Sequence, residues 1–297
     1  MASRKSDPKR IVFLSQDSMD GYVCDDDLAL PAFADASLVV DTLSWRRTDV
    51  DWAAYAAVIV RSTWDYQRAP EAFFAALQSI DQQTRLANPL PMMRWNMDKH
   101  YLAGLAEQGV ATVPTTFGRN LDAAMLDRLL SAHAGECVIK PVISAGAERT
   151  YRLSSDADAA TREEIVQAHA SGAWMWQPFI ADIIAEGEYS LFYFDGEFSH
   201  AIVKKPQQGD FRVQEEFGGL ISAIAAPSDM RSMADRVMSV LEATPLYARV
   251  DLVRGDADQW WLIELELIEP SLYLRTDRQA PHRFAKAVRE WIDRGQR

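Results

Sequence analysis

Residues Trp260 to Glu266 read WWLIELE, an apolar run with two carboxylates two positions apart. In an extended chain side chains alternate between faces, so Glu264 and Glu266 project the same way, about 7 Å apart along the strand. Anions that close repel unless a cation sits between them. Upstream, YARVDLV carries Asp251 and leads into the turn-prone RGDAD. The two runs therefore fit a hairpin that turns near Gly255 to Asp258 and sets Asp251 beside the glutamates. Three hard oxygen donors on adjacent strands suit Mg²⁺, an ion that usually also holds phosphate oxygens. The competing arrangement leaves one glutamate in solvent and pairs the other with Arg249 or Lys204.

Lys140 closes the apolar run CVIK, just before Pro141. An ammonium there is costly unless it meets an anion or escapes to solvent at a strand edge. The small residues Ser144, Ala145 and Gly146 follow. They form either a plain turn or one whose N–H groups approach a phosphate. Neither GxxxxGK[ST] nor GxGxxG occurs, so neither a P-loop nor a Rossmann fingerprint applies. A GxSxG elbow and a Cys–His signature are also missing, which argues against a side-chain nucleophile. Arg61 ends an apolar run beside STWD; it fits a substrate carboxylate or an interdomain salt bridge. Gly218 and Gly219 fit either a close approach to substrate or an ordinary loop. His200 reads as a satisfied strand histidine, and the aspartates of CDDD as helix caps.

These side chains need a scaffold. RIVFLSQ, SLVVDTLSW and AAVIVRSTW read as strands, and APEAFFAALQSIDQQ as a helix. Their alternation predicts a small N-terminal α/β domain with parallel strands over residues 1–92. The prolines of NPLPMMRWN mark the boundary. Asn96 is then the N-cap of a helix that Gly109 ends. Residues 93–297 read as α+β, with a small lobe at about 110–180 and a larger lobe at about 181–297. Asp195-Gly196 marks one hairpin and the Asp251 run begins the other. The charge balance, 31 Lys and Arg against 43 Asp and Glu, gives −12. It argues against nucleic acid or an anionic membrane as partner, though not against a small anion held locally. With no signal-like or membrane-length apolar stretch and only two distant cysteines, the expected setting is the cytoplasm. A homodimer stays open.

Taken in order, these features resemble the ATP-grasp superfamily, in its glutathione synthetase and RimK-like branch. They are Lys99 near a helix start, VIKP…SAGAERT, QPFI ahead of Glu188, HAIVKKP…FR, and finally Asp251, Glu264 and Glu266. EYSL…DGEFSHA, GDFRVQEEFGG and ELELIEPSLYL are similar to a bacterial ligase-like group that includes the cyclo-ligase of D-cycloserine biosynthesis. The resemblance covers about residues 90 to 280. It implies an ATP-grasp fold behind an N-terminal pre-ATP-grasp α/β domain, and a Mg²⁺-dependent ligase joining a carboxylate to an amine through an acyl phosphate. The implied substrate is a small amino-acid-like molecule, its amine and carboxylate lying in one molecule or in two; an ATP-grasp kinase and a non-catalytic ATP-binding regulatory protein stay open as alternatives. Lys99 and Lys140 would reach ATP phosphates. Gln177, Pro178, Phe179 and Ile180 would form the adenine hinge, and Glu188 would bind ribose. Lys204 and Arg212 would neutralise the transferring phosphoryl group, and Asp251, Glu264 and Glu266 would hold Mg²⁺. Glu266 stands where glutathione synthetases usually have Asn.

Overall fold

The structure, a computed structural model, describes residues 8–144, 146–255 and 259–295. Ala145 and the tip of the second hairpin, Asp256 to Asp258, lie outside the described residues. The opening apolar runs become β1 (Lys9–Ser15), β2 (Leu38–Ser44) and β3 (Ala57–Ser62), with α1 (Leu30–Asp35) after β1. α2 (Pro70–Asp81) and β4 (Leu86–Ala87) follow. The strands pair in parallel in the order β2-β1-β3-β4. β3 is buried at every position, as a parallel strand covered on both faces must be. Phe73, Phe74, Leu77 and Ile80 of α2 pack on one side of this sheet.

NPLPMMRWN is not a break. Leu90–Met97 forms α3, with Pro91 in its first turn, where a missing N–H costs nothing. Asn96 therefore lies buried inside α3 rather than capping α4 (Tyr101–Glu107). Gly109, at φ +82°, stands just past the end of α4. Next come β5 (Thr116–Arg119), α5 (Ala123–Ala132), β6 (Cys137–Pro141), β7 (Tyr151–Leu153), α6 (Ala159–His169) and β8 (Ala173–Pro178). These strands make an antiparallel sheet in the order β5-β8-β6-β7. Asp122 and Asp158 cap α5 and α6 through the N–H groups of Met125 and Thr161, both at 2.7 Å.

After α7 (Asp182–Ala185), the chain forms β9 (Glu188–Phe194), β10 (Glu197–Lys205), β11 (Leu220–Ile224), α8 (Ser228–Ser239), β12 (Tyr247–Arg254) and β13 (Trp260–Glu266). Their sheet is antiparallel, in the order β11-β10-β9-β12-β13. Asp195 and Gly196 close the β9–β10 hairpin with φ of 53° and 80°, the sign pattern of a type I′ turn. The last helix, α9 (Ala280–Arg294), returns to the N-terminal sheet. Its Phe284 and Val288 share a core with Phe13 and Phe33 as well as Phe192 and Tyr247. Among the described residues no helix is long and apolar enough to cross a membrane.

His200 of β10 is a satisfied strand residue. Its Nε2–H donates to the Leu272 carbonyl at 3.0 Å, Nδ1 lies 2.9 Å from the Ser199 hydroxyl, and the ring stacks on Phe192 at 4.3 Å. Burial pushes its pKa down to about 4. The unfolded chain takes up that proton near pH 6.5, the native protein only near 4. Its contribution is thus whole above pH ~6.5 and is lost as the pH falls toward 4. His200→Gln removes the titration. In denaturant melts, moving from pH 7 to 4.5 should shift the stability difference toward the variant by about 2–3 kcal/mol. A difference that does not move with pH contradicts this.

Candidate active site

The β12–β13 register sets Asp251 opposite Glu264 and Arg249 opposite Glu266. On the other side of β12, Asp251 faces Ser190, and further along Lys204 faces Glu188. A bulge at the Asp251–Leu252 step leaves Ile263 unpaired and changes the phase of β13. Leu262 and Leu265 can therefore both be buried while Glu264 and Glu266 share the opposite face. The outer edge of β13 is covered, as an exposed edge needs to be. Leu262 bonds to Ala111 and Val113, Tyr101 bonds both backbone groups of Leu265, and Asn96 bonds Leu265 and Leu267. That is why Asn96 is buried, and it fixes the strand that carries the glutamates.

These groups line a cleft of about 670 Å³ between the two antiparallel sheets, walled on one side by the N-terminal domain. All the nucleotide, phosphate and metal candidates other than the undescribed Ala145 line it. Lys99 donates to the Ser144 carbonyl at 2.8 Å and pairs with Glu264 at 3.1 Å. Lys204 pairs with Glu188 and lies 3.5 Å from Asp251. Arg249 forks onto Asp251 at 2.9–3.0 Å and also meets Glu266. Lys140 has no ion-pair partner among the described residues. Burial lowers its pKa, opposed by Glu264. For Lys204 burial works against the charge, yet Asp251 and Glu188 outweigh it and raise the pKa. Asp251 is buried too, but Arg249 and Lys204 hold it down to about 2. Burial, against Arg249 and with help from Glu264 and Asp251, pushes Glu266 up to about 7.

At the hinge, Gln177 donates to the Thr115 hydroxyl at 2.9 Å. The Phe179 N–H is spent on the Glu136 carbonyl and the Ile180 carbonyl on the Ile183 N–H. Among the described residues the Phe179 C=O and the Ile180 N–H keep no backbone partner. Gly146, at φ +60°, continues the turn after Ser144 with open space around it. Arg212 stacks over Phe217 at 3.7 Å and forks onto Asp210 at 2.7–3.1 Å.

The substrate candidates need correction. Arg61 is 1% exposed and absent from the cleft. Its guanidinium bonds Asp26 at 3.0–3.1 Å and the Pro270 carbonyl at 3.1 Å, between the rings of Tyr247 and Phe284. α9 buries it there, so it is a structural ion pair. Two of the three CDDD aspartates bind arginines instead of capping: Asp26 takes Arg61, and Asp25 takes Arg275 at 2.8 Å. Gly218 and Gly219 also lie outside the cleft lining. A Cβ on Gly219 would sit 2.0 Å from the Val213 carbonyl, and one on Gly218 2.2 Å from Gln207 Oε1. Their loop closes on itself. The sequence reading named Arg249 only as a salt-bridge partner and missed Glu269 and Tyr273, the last at φ 45°. Only Arg249 had a signal, two residues before Asp251 on the same strand face.

The comparisons agree with this geometry. Residues 11–88 match the family described as D-cycloserine synthetase DcsG, N-terminal domain. Residues 111–271 match the prokaryotic glutathione synthetase ATP-grasp domain. The chain is 32% identical over 273 residues to the cycloserine biosynthesis protein DcsG of Streptomyces lavendulae, covering 88% of this chain and 91% of that one. The crystal structure of D-cycloserine synthetase DcsG superposes with a TM-score of 0.85 at 29% identity, covering 95% of this chain and 99% of that one. The ATP-grasp ligase PsnB, complexed with minimal precursor, Mg and ADP, shares the fold at TM-score 0.62 and 16% identity, covering 95% of this chain and 98% of that one. The chain belongs to the ATP-grasp family of ATP-dependent carboxylate–amine ligases, with a glutathione-synthetase-type ATP-grasp domain behind a DcsG-type N-terminal domain.

Proposed function

We propose that the protein uses ATP and Mg²⁺ to close a small amino-acid-like molecule on itself, the amine and the carboxylate lying in one substrate, through an acyl phosphate. The observation that carries this reading is the cation set of the cleft, Lys99, Lys140, Lys204, Arg212 and Arg249, with the Lys140 ammonium lacking an ion-pair partner among the described residues. A polyanion supplies what Lys140 lacks. The support for cyclisation is the likeness to D-cycloserine synthetase along nearly the whole chain.

The donor set fits Mg²⁺ at two positions better than at three. Glu264 and Glu266 meet Lys99 and Arg249 through Oε1, and among the described residues no hydrogen bond to either Oε2 is seen. Asp251 has both oxygens occupied by Ser190, Arg249 and Lys204. Among the described residues no three such side chains gather as a ligand cluster. One or two carboxylates together with phosphate oxygens are the usual holders of this ion. Glu264 and Glu266 would hold it, and Asp251 orients Lys204 and Arg249. When bound, Mg²⁺ supplies charge neutralisation and alignment of the phosphates.

The chain's own groups then do the following. Phe179 C=O and Ile180 N–H present an acceptor and a donor to the adenine edge, and Glu188 lies within the same cleft as a ribose partner. Lys99 and Lys140 hold the triphosphate. A substrate carboxylate oxygen attacks the γ-phosphorus as the bond to ADP breaks; Lys204, Arg212 and Arg249 offset the spreading charge. The amine attacks the acyl carbon, phosphate leaves, and the amine proton goes to solvent. Positioning does most of the work, because the reactants are already tethered.

The test is ADP release across amino acids, dipeptides and their oxygen-linked analogues, with mass spectrometry of products. A product lighter than the substrate, formed with ADP and phosphate and abolished by EDTA, is expected. ADP with a phosphorylated product alone contradicts ligation. No ADP with any acceptor contradicts catalysis.

A further inference from the structure

Beside the phosphate end, the cleft has a wall that the nucleotide chemistry leaves unused. It is built by Trp64, Gln67 and Glu269. Among the described residues, Glu269 is the one carboxylate in the cleft wall that is neither exposed nor ion-paired. Glu188 has Lys204, Glu215 has Arg275, Glu264 has Lys99, and Asp251 and Glu266 share Arg249. Burial, reinforced by Glu266, pushes its carboxyl well above the usual range, as expected of an acid without a counter-ion. A second acceptor lies on the same wall. Gln67 donates its Nε2–H to the Trp64 carbonyl at 2.9 Å, but among the described residues its buried Oε1 accepts no hydrogen bond.

The wall is held rigidly. Consecutive carbonyls of the segment that carries Glu269 each accept a side-chain hydrogen bond. Leu267 takes Asn88 at 2.8 Å, Ile268 takes Tyr247 at 2.9 Å, Glu269 takes Trp64 at 2.9 Å, and Pro270 takes Arg61 at 3.1 Å. Most of these donors come from the N-terminal domain. The Trp64 ring, 5.6 Å from that of Tyr22, adds an aromatic face of the kind that attracts a cation. Orphaned acceptors beside an aromatic face complement a group with several N–H donors and a positive charge.

We propose that Glu269 and Gln67, beside Trp64, form the subsite for a protonated amine of the substrate, one that stays out of the bond being made. This rests on the ligase reading above and narrows it: the substrate carries an ammonium group in addition to the reacting carboxylate and nucleophile. Glu269 would accept its hydrogen bonds directly, and Gln67 Oε1 would take a further one.

The test is calorimetry in the presence of ADP and Mg²⁺ with two matched pairs of probes. They are D-cycloserine against isoxazolidin-3-one, the same ring without its amine, and D-serine against 3-hydroxypropanoate. Wild-type protein should bind the amine-bearing member of at least one pair about 10- to 100-fold more tightly, the range for a hydrogen bond to a charged group. Glu269→Gln keeps the shape and should cut that ratio to near one while leaving ADP affinity unchanged. Gln67→Met should lower the ratio partly, and it provides the reading if Glu269→Gln misfolds. A wild-type ratio near one, or a ratio that both variants leave intact, overturns the subsite. So does binding of neither amine-bearing probe by protein that binds ADP. Failure to bind ADP at all overturns the ligase reading instead, and the subsite with it.

Discussion

Lys140→Met is expected to weaken ATP binding by about 10- to 100-fold, the worth of a hydrogen bond to a charged group. The nucleotide-free protein should meanwhile be as stable as before, or more so. The two signs differ because the Lys140 ammonium is desolvated without an ion-pair partner among the described residues. Burial disfavours its charged form and so carries a desolvation cost in the folded state, while methionine fills the same volume at none. Calorimetry with a non-hydrolysable ATP analogue and a denaturant melt on the same variant separate the two effects. Lower stability with normal affinity would make Lys140 a packing residue and remove the main support for a phosphate site.

Arg61→Leu should do the reverse. It breaks a buried pair and leaves Asp26 uncompensated, which typically costs about 3–5 kcal/mol. It also releases the Pro270 carbonyl and two aromatic faces. ATP affinity should stay within about twofold, since Arg61 does not line the cleft. A chemical melt and an ATP titration check this. A variant with wild-type stability and an isolated loss of substrate affinity would return Arg61 to the substrate.

What made Arg61 misleading in the sequence also marks where sequence reading stops. Its place at the end of a parallel strand is a local fact. Its burial depends on α9, more than two hundred residues away, and no local pattern announces that packing. The hairpins were different. Asp195-Gly196 carries its own turn chemistry, and strand alternation alone put Glu264 and Glu266 on one face. What lies between the glutamates was not local either. Lys99 arrives from the segment before α4 and Arg249 from the neighbouring strand. Both glutamates are therefore paired, where the competing reading left one in solvent. Asn88 to Asn96 reads as a boundary because two prolines look like a break; one precedes the helix Leu90–Met97 and the other sits in its first turn. Gly218 and Gly219 fitted either a close approach to substrate or an ordinary loop, and the close approach they make is to Gln207 and Val213 of their own loop. Glu269 gave no signal, because being unpaired is a property of the whole cleft.

The most direct test of the central claim is calorimetric titration of the wild-type protein with a non-hydrolysable ATP analogue, with and without Mg²⁺. Binding in both conditions, tighter with the metal, is the expected result on the proposal that Lys140, without an ion-pair partner among the described residues, meets a phosphate and that Glu264 and Glu266 hold the ion. No binding in either condition would contradict the assignment of this cleft to ATP.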